Sequence, residues 1–115
     1  MLIARLEANQ RLSQAVVHNN LVFLTGQAGE KGETVAEQTA YALSEIDRLL
    51  ALAGSSKANI LYATILLSDV AAGFAEMNSV WDKWVDQTNP PARATMEAKM
   101  VKPSYLVEVI VVAAV

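Results

Sequence analysis

The chain has 115 residues, too few for two independent cores, with 9 Lys+Arg against 12 Asp+Glu and a formal net charge of −3. Hydrophobic residues make up 53% and charged residues 18%, below the usual charged share of about 25%, which excludes disorder. So small a domain buries roughly two thirds of its unfolded surface, so the apolar surplus points to a partner surface, most simply a second copy.

There is no cysteine and one histidine, His18, which removes disulfides, thiol nucleophiles, thiolate metal sites and His-rich metal clusters. The opening residues carry Arg5 and Glu7 and do not resemble a signal peptide. The most apolar stretch, 106–115, is too short for a membrane helix and contains Glu108. The acidic balance, without a basic run, disfavours nucleic-acid binding. The chain reads as one soluble, cytoplasmic domain spanning 1–115.

Residues 2–6 are a candidate edge strand. Residues 14–18 and 21–25 are β-rich runs joined by Asn19-Asn20, a tight hairpin, because Asn tolerates the positive φ such turns need. Thr34 with Glu37 forms a capping box opening a helix that Gly54 ends. Ala36, Thr39, Leu43, Ile46, Leu50 and Ala53 mark its inner stripe; Glu37, Gln38, Ser44, Glu45 and Arg48 fall mainly elsewhere. Ile60 to Leu67 reads as a buried strand and Ser68-Asp69 as a turn or cap. Phe74, Met77, Trp81, Trp84 and Val85 define a second helix, which stops before Asn89-Pro90-Pro91. Residues 92–98 alternate, with Arg93, Thr95 and Glu97 on one side, and 106–113 form the last strand. The order β-β-β-α-β-α-β-β predicts a two-layer α+β sandwich, with two helices on one face of a mixed sheet. The other face stays apolar and calls for oligomerisation.

Two side chains stand out. Arg93, after a rigid Pro-Pro-Ala lead-in, is either a surface arginine at a sheet edge or a fork for a carboxylate or phosphate. Glu108 interrupts the most apolar strand and shares its face with Ile110 and Val112. A carboxylate there must be paired, protonated or open to a cavity, where it could transfer protons. Glu97 is its rival, with a solvent-facing alternative. Asn78 faces the core side, where a buried amide would tie down loop backbone. Trp81 and Trp84 read first as core or interface anchors. His18 reads as an exposed turn residue. Gly26, Gly29 and Gly32 do not have the spacing of a dinucleotide site.

Taken in order, these motifs resemble the RidA/YjgF family over about residues 12–115. The hairpin ends in Thr25-Gly26-Gln27, the family's Ser/Thr-Gly-Gln triplet. The first helix, the run from Phe74 through Asn78 to Trp81, Pro91-Ala92-Arg93 and the closing strand with Glu108 also match. The resemblance implies a chorismate-mutase-like fold, assembled as a homotrimer with clefts between subunits. It also implies hydrolysis of reactive 2-imino or enamine acids to 2-keto acids and ammonia, without metal or organic cofactor. By position, Arg93 would clamp the substrate carboxylate, Gly26 beside Thr25 would offer a backbone N–H, and Thr95 would offer backbone groups. Glu108 would hold and activate the attacking water. Leu12, where the family has tyrosine, and Trp81 would shape the pocket wall with Ile110; Asn78 would support the site. The implied partners are a small carboxylate-bearing metabolite and other copies of the chain, with neither nucleic acid nor membrane. The alternative is a non-catalytic, carboxylate-binding or regulatory trimer of the same family.

Overall fold

The computed structural model describes residues 2–115. Strands β1 (Ala4–Ala8), β2 (Ser13–His18), β3 (Leu21–Leu24) and β4 (Gln27–Ala28) precede helix α1 (Val35–Leu52). A 3₁₀ turn at Lys57–Asn59, β5 (Ile60–Leu67), α2 (Val70–Trp84), β6 (Ala92–Glu97) and β7 (Val107–Ala114) follow. The strands form one mixed sheet in the order β1-β2-β3-β7-β5-β6, with β4 also paired to β7. Only β5 and β6 run parallel, joined across α2 as a β-α-β crossover requires.

The expected α+β architecture with two helices is present, with local corrections. The edge strand lies at Ala4–Ala8, later than expected, because Asn9 Oδ1 accepts from the N–H groups of Arg11 and Leu12 and fixes the turn there. The last strand is shifted by one residue, to Val107–Ala114. The two-residue β4 was not anticipated. It arises where the chain bends at Gly26 away from β2 and onto β7.

The Asn19-Asn20 turn holds φ values of 51° and 65°, so both residues are left-handed as a tight hairpin demands. Thr34 caps α1: its side chain accepts from Glu37 N–H while the Glu37 carboxylate accepts from Thr34 N–H. Asp69 caps α2 by accepting from Ala72 N–H. Gly54, at φ 81°, follows α1 as the left-handed residue.

Helices and sheet enclose a core of Leu43, Ile46, Leu49, Leu50, Ile65, Leu67, Met77, Val107, Val109 and Val111. Strand β7 alternates throughout, so 107, 109, 111 and 113 face the helices and Glu108, Ile110 and Val112 face away. Helix α2 docks through Gly73, Met77 and Trp81. Phe74, expected on the inner stripe, is instead 43% exposed. The contacting row is Gly73's, since a Cβ at Gly73 would already lie 3.4 Å from Val35 Cγ2, and Phe74 is turned about 100° from it. The sheet face away from the helices has no covering layer among the described residues and exposes Phe23, Tyr62 and Met96.

Candidate functional site

The residues singled out by sequence form two groups. The first lies on the helix side of edge strand β6. Register pairs Arg93 with Ala63 and Thr95 with Ile65, so both point toward the layer that carries α2. Arg93 Nη1 donates to Asn78 Oδ1 at 2.8 Å, and its guanidinium carbon lies 5.3 Å from the Trp81 ring centroid. Asn78 and Trp81 are three residues apart, hence on one helix face. Asn78 therefore serves Arg93 and not the loop backbone, correcting the sequence expectation. Trp81 is only 5% exposed, so its role in the protomer is to back the guanidinium. Trp84 packs against it at 5.4 Å and donates Nε1–H to Asp47 Oδ2 at 2.8 Å, tying the group to α1.

Among the described residues no carboxylate pairs with Arg93; the ion pairs are those of Arg48 with Glu7 and Glu45. A planar cation held from two sides, without a counter-charge, has donors left over that can bond an anion. Beside it, Thr95 Oγ1 is buried without a hydrogen-bond partner among the described residues. Glu97, the rival carboxylate, accepts from Val70 N–H at 3.0 Å and is committed to the start of α2.

The second group lies where β3 gives way to β4. Thr25 N–H donates to Gln14 O at 2.9 Å, and Gln27 Nε2 donates to Gln14 Oε1 and Thr25 O at 3.0 and 3.1 Å. Glu108 pairs with Ala28 of β4 and Leu66 of β5, and its side chain lies directly over Gly26. A Cβ at Gly26 would stand 2.8 Å from Glu108 Cδ, so glycine is required for close approach. Leu12 sits two residues before Gln14, exposed, its N–H held by Asn9 Oδ1. A hollow of about 470 Å³ bordered by Glu7, Gln14, Gly26, Gln27, Tyr41 and Arg48 adjoins this group.

One protomer does not bring the two groups together. Arg93 and Glu108 are on strands separated by β5 and on opposite faces of the sheet. Two inter-strand spacings alone amount to about 10 Å, before the thickness of the sheet is added.

Sequence reasoning missed Gln38, expected outside the inner stripe and in fact 3% exposed. Its spacing from Ala42 and Ile46 was the available signal, since i, i+4, i+8 is one buried row. His18, expected as an exposed turn residue, is half-buried, and its Nδ1 lies 3.0 Å from Leu2 O. Among the described residues no three His, Asp or Glu side chains gather to hold a metal ion, and no helix is long and apolar enough to cross a membrane.

The sequence and the mixed sheet with two helices on one face both have relatives among known proteins. The family model described as Endoribonuclease L-PSP matches residues 2–115, and the chain belongs to this family, RidA/YjgF. A RutC family protein of Haemophilus influenzae is 44% identical over 115 residues, covering 98% of each chain. The chloroplastic Reactive Intermediate Deaminase A of Arabidopsis thaliana is 32% identical over 104 residues, 84% of this chain and 54% of that protein. The crystal structure of NMB1025, a YjgF family member from Neisseria meningitidis, superposes with a TM-score of 0.96. It is 47% identical, covering 99% of this chain and 95% of that one.

Proposed function

We propose that the protein is a cytoplasmic, cofactor-independent hydrolase that deaminates reactive 2-imino or enamine acids at clefts between the subunits of a homotrimer. The observation that carries this reading is Arg93, oriented by Asn78 and Trp81 with no carboxylate partner among the described residues. The deaminase named among the relatives supplies the reaction class. The separation of Arg93 from Glu108 supports a composite cleft, with the arginine from one copy and the glutamate from its neighbour.

In that cleft Arg93 grips the substrate carboxylate, assisted by Gly26 N–H beside Thr25 and by Thr95 backbone groups. Glu108 takes a proton from a water molecule as its oxygen adds to the imine carbon. That proton passes to nitrogen to give the hydroxy-amine; Glu108 then relays the hydroxyl proton to nitrogen as the C=O bond forms and the C–N bond breaks, and 2-keto acid and ammonia leave. Because the imine carbon is already electrophilic, orientation and one proton relay account for the acceleration. Leu12, exposed beside the second group, shapes the wall, and Trp81 acts from behind Arg93.

The test is 2-keto acid release from freshly generated 2-iminobutanoate. Wild type should accelerate it over buffer, and Arg93→Ala and Glu108→Gln should not. Leu12, which brings no hydroxyl where the family has tyrosine, favours a second reading: a trimer that binds carboxylates without turnover. Calorimetry separates the two, since that reading requires 2-keto acid binding, lost in Arg93→Ala, with no turnover of any imino acid tried.

A further inference from the structure

We infer that Gln38 is a positioning residue for Glu108, an inference that rests on the catalytic reading of that glutamate. Gln38 lies in the first turns of α1 and touches neither Arg93 nor Glu108 by any hydrogen bond. Its buried amide instead joins the two segments that lead to the glutamate. Oε1 accepts from Leu106 N–H at 2.8 Å, and Nε2 donates to Ser104 O at 2.9 Å and Gly32 O at 3.2 Å. Leu106 is the last residue before β7, and Glu108 is two residues further on.

The second segment is held as firmly. Gly29 N–H donates to Val107 O at 2.9 Å, which extends the β4–β7 pairing past Ala28 and Glu108. A Cβ at Gly29 would lie 2.8 Å from Gln38 Cγ, so this loop closes on β7 only because residue 29 is glycine and residue 38 fills the space. The single amide thus ties α1 to the loop after β4 and to the lead-in of β7. Glu108 is fixed between them, with its carboxylate over Gly26. An apolar side chain of the same length would leave the half-buried Leu106 N–H and the carbonyls of Ser104 and Gly32 without these partners, and the lead-in of β7 would lose its tie to α1.

Misplacing a proton-transfer group by about 1 Å costs up to about 100-fold in rate, whereas the arginine clamp sits on another strand and face. Gln38→Met is therefore expected to lower kcat by about 10- to 100-fold, while 2-keto acid affinity stays within about threefold. The kcat–pH profile should shift as well, because the carboxylate's surroundings change. Leu106 N–H should lose protection from hydrogen exchange while core amides such as Ile65 keep theirs.

Gln38→Glu, which keeps the acceptor for Leu106 and loses the donors, is the second variant. Wild-type kcat in Gln38→Met overturns the inference, as does a parallel loss of kcat, keto-acid affinity and Tm, which marks a merely structural role. If neither variant folds, Gln38 is a folding residue and the inference is overturned too. Full turnover in Glu108→Gln instead overturns the catalytic reading itself, and the inference with it.

Discussion

Arg93 is gripped before any ligand arrives, and that arrangement makes its replacement informative. Arg93→Lys keeps the charge but has no fork to share between Asn78 and a carboxylate, so 2-keto acid affinity should fall by about tenfold or more in calorimetry. Asn78→Ala should give a smaller loss with the charge intact, since one of two constraints on the guanidinium is removed. Gly26 offers the complementary test. A methyl group there meets only the flexible end of the Glu108 side chain, so Gly26→Ala should fold with a loss of no more than about 1 kcal/mol in urea denaturation. It should displace the carboxylate nonetheless, and kcat should drop about tenfold or more. Near-wild-type turnover in Gly26→Ala would count against a role for the Glu108–Gly26 contact.

At the level of elements, the start of α1 rests on the Thr34 capping box. Thr34→Ala should cost about 1 kcal/mol, measured at fixed protein concentration. Acid acts at both ends of the same helix. Glu37 is held below its ordinary pKa by hydrogen bonds from the N–H groups of Glu33 and Thr34, and Glu7 by its hydrogen bond to Arg48. A carboxylate whose folded pKa is lowered stabilises the protein fully above its ordinary pKa, and the contribution is lost as pH falls through the folded value. Tm should therefore decline below about pH 4, and the acid limb should be shallower in Glu7→Gln and Glu37→Gln.

The elements most legible in sequence were those with a repeated signal. Asn19-Asn20 announced the hairpin, Thr34 and Glu37 the first helix, and the alternation around Arg93 strand β6, with Arg93, Thr95 and Glu97 sharing one side. Strand β4 was not legible, because two residues between glycines have no period to read. Gln38 was not, because a polar residue is assigned to the outer face until its three buried partners are visible. The Asn78–Arg93 bond depends on where α2 comes to lie relative to β6, which no local pattern encodes.

For the molecule as a whole, the apolar surplus has acquired a location. Phe23, Tyr62 and Met96 are exposed on the sheet face away from the helices, beside Ile110 and Val112. Burying that face against other copies would remove it from water, and sedimentation should give a mass of three chains. Ile110→Lys should shift the protein toward smaller species and abolish turnover together, since a composite cleft is lost with the assembly. A monomeric wild type with full activity would rule out the shared cleft.

The placement of Arg93 and Glu108 on opposite faces of the sheet also has a genetic consequence. Two inactive alleles, one carrying Arg93→Ala and the other Glu108→Gln, should complement when expressed in the same cell. Neither defect reaches the cleft built from the sound halves of two neighbours, so random mixing of equal amounts should leave about one quarter of the clefts intact. Joining both substitutions on one chain, mixed with wild type, should leave the same fraction intact. If the pair instead works within a single protomer, the two alleles stay dead in any mixture. The fold thus turns a question of site architecture into one that a cross between two null strains can answer.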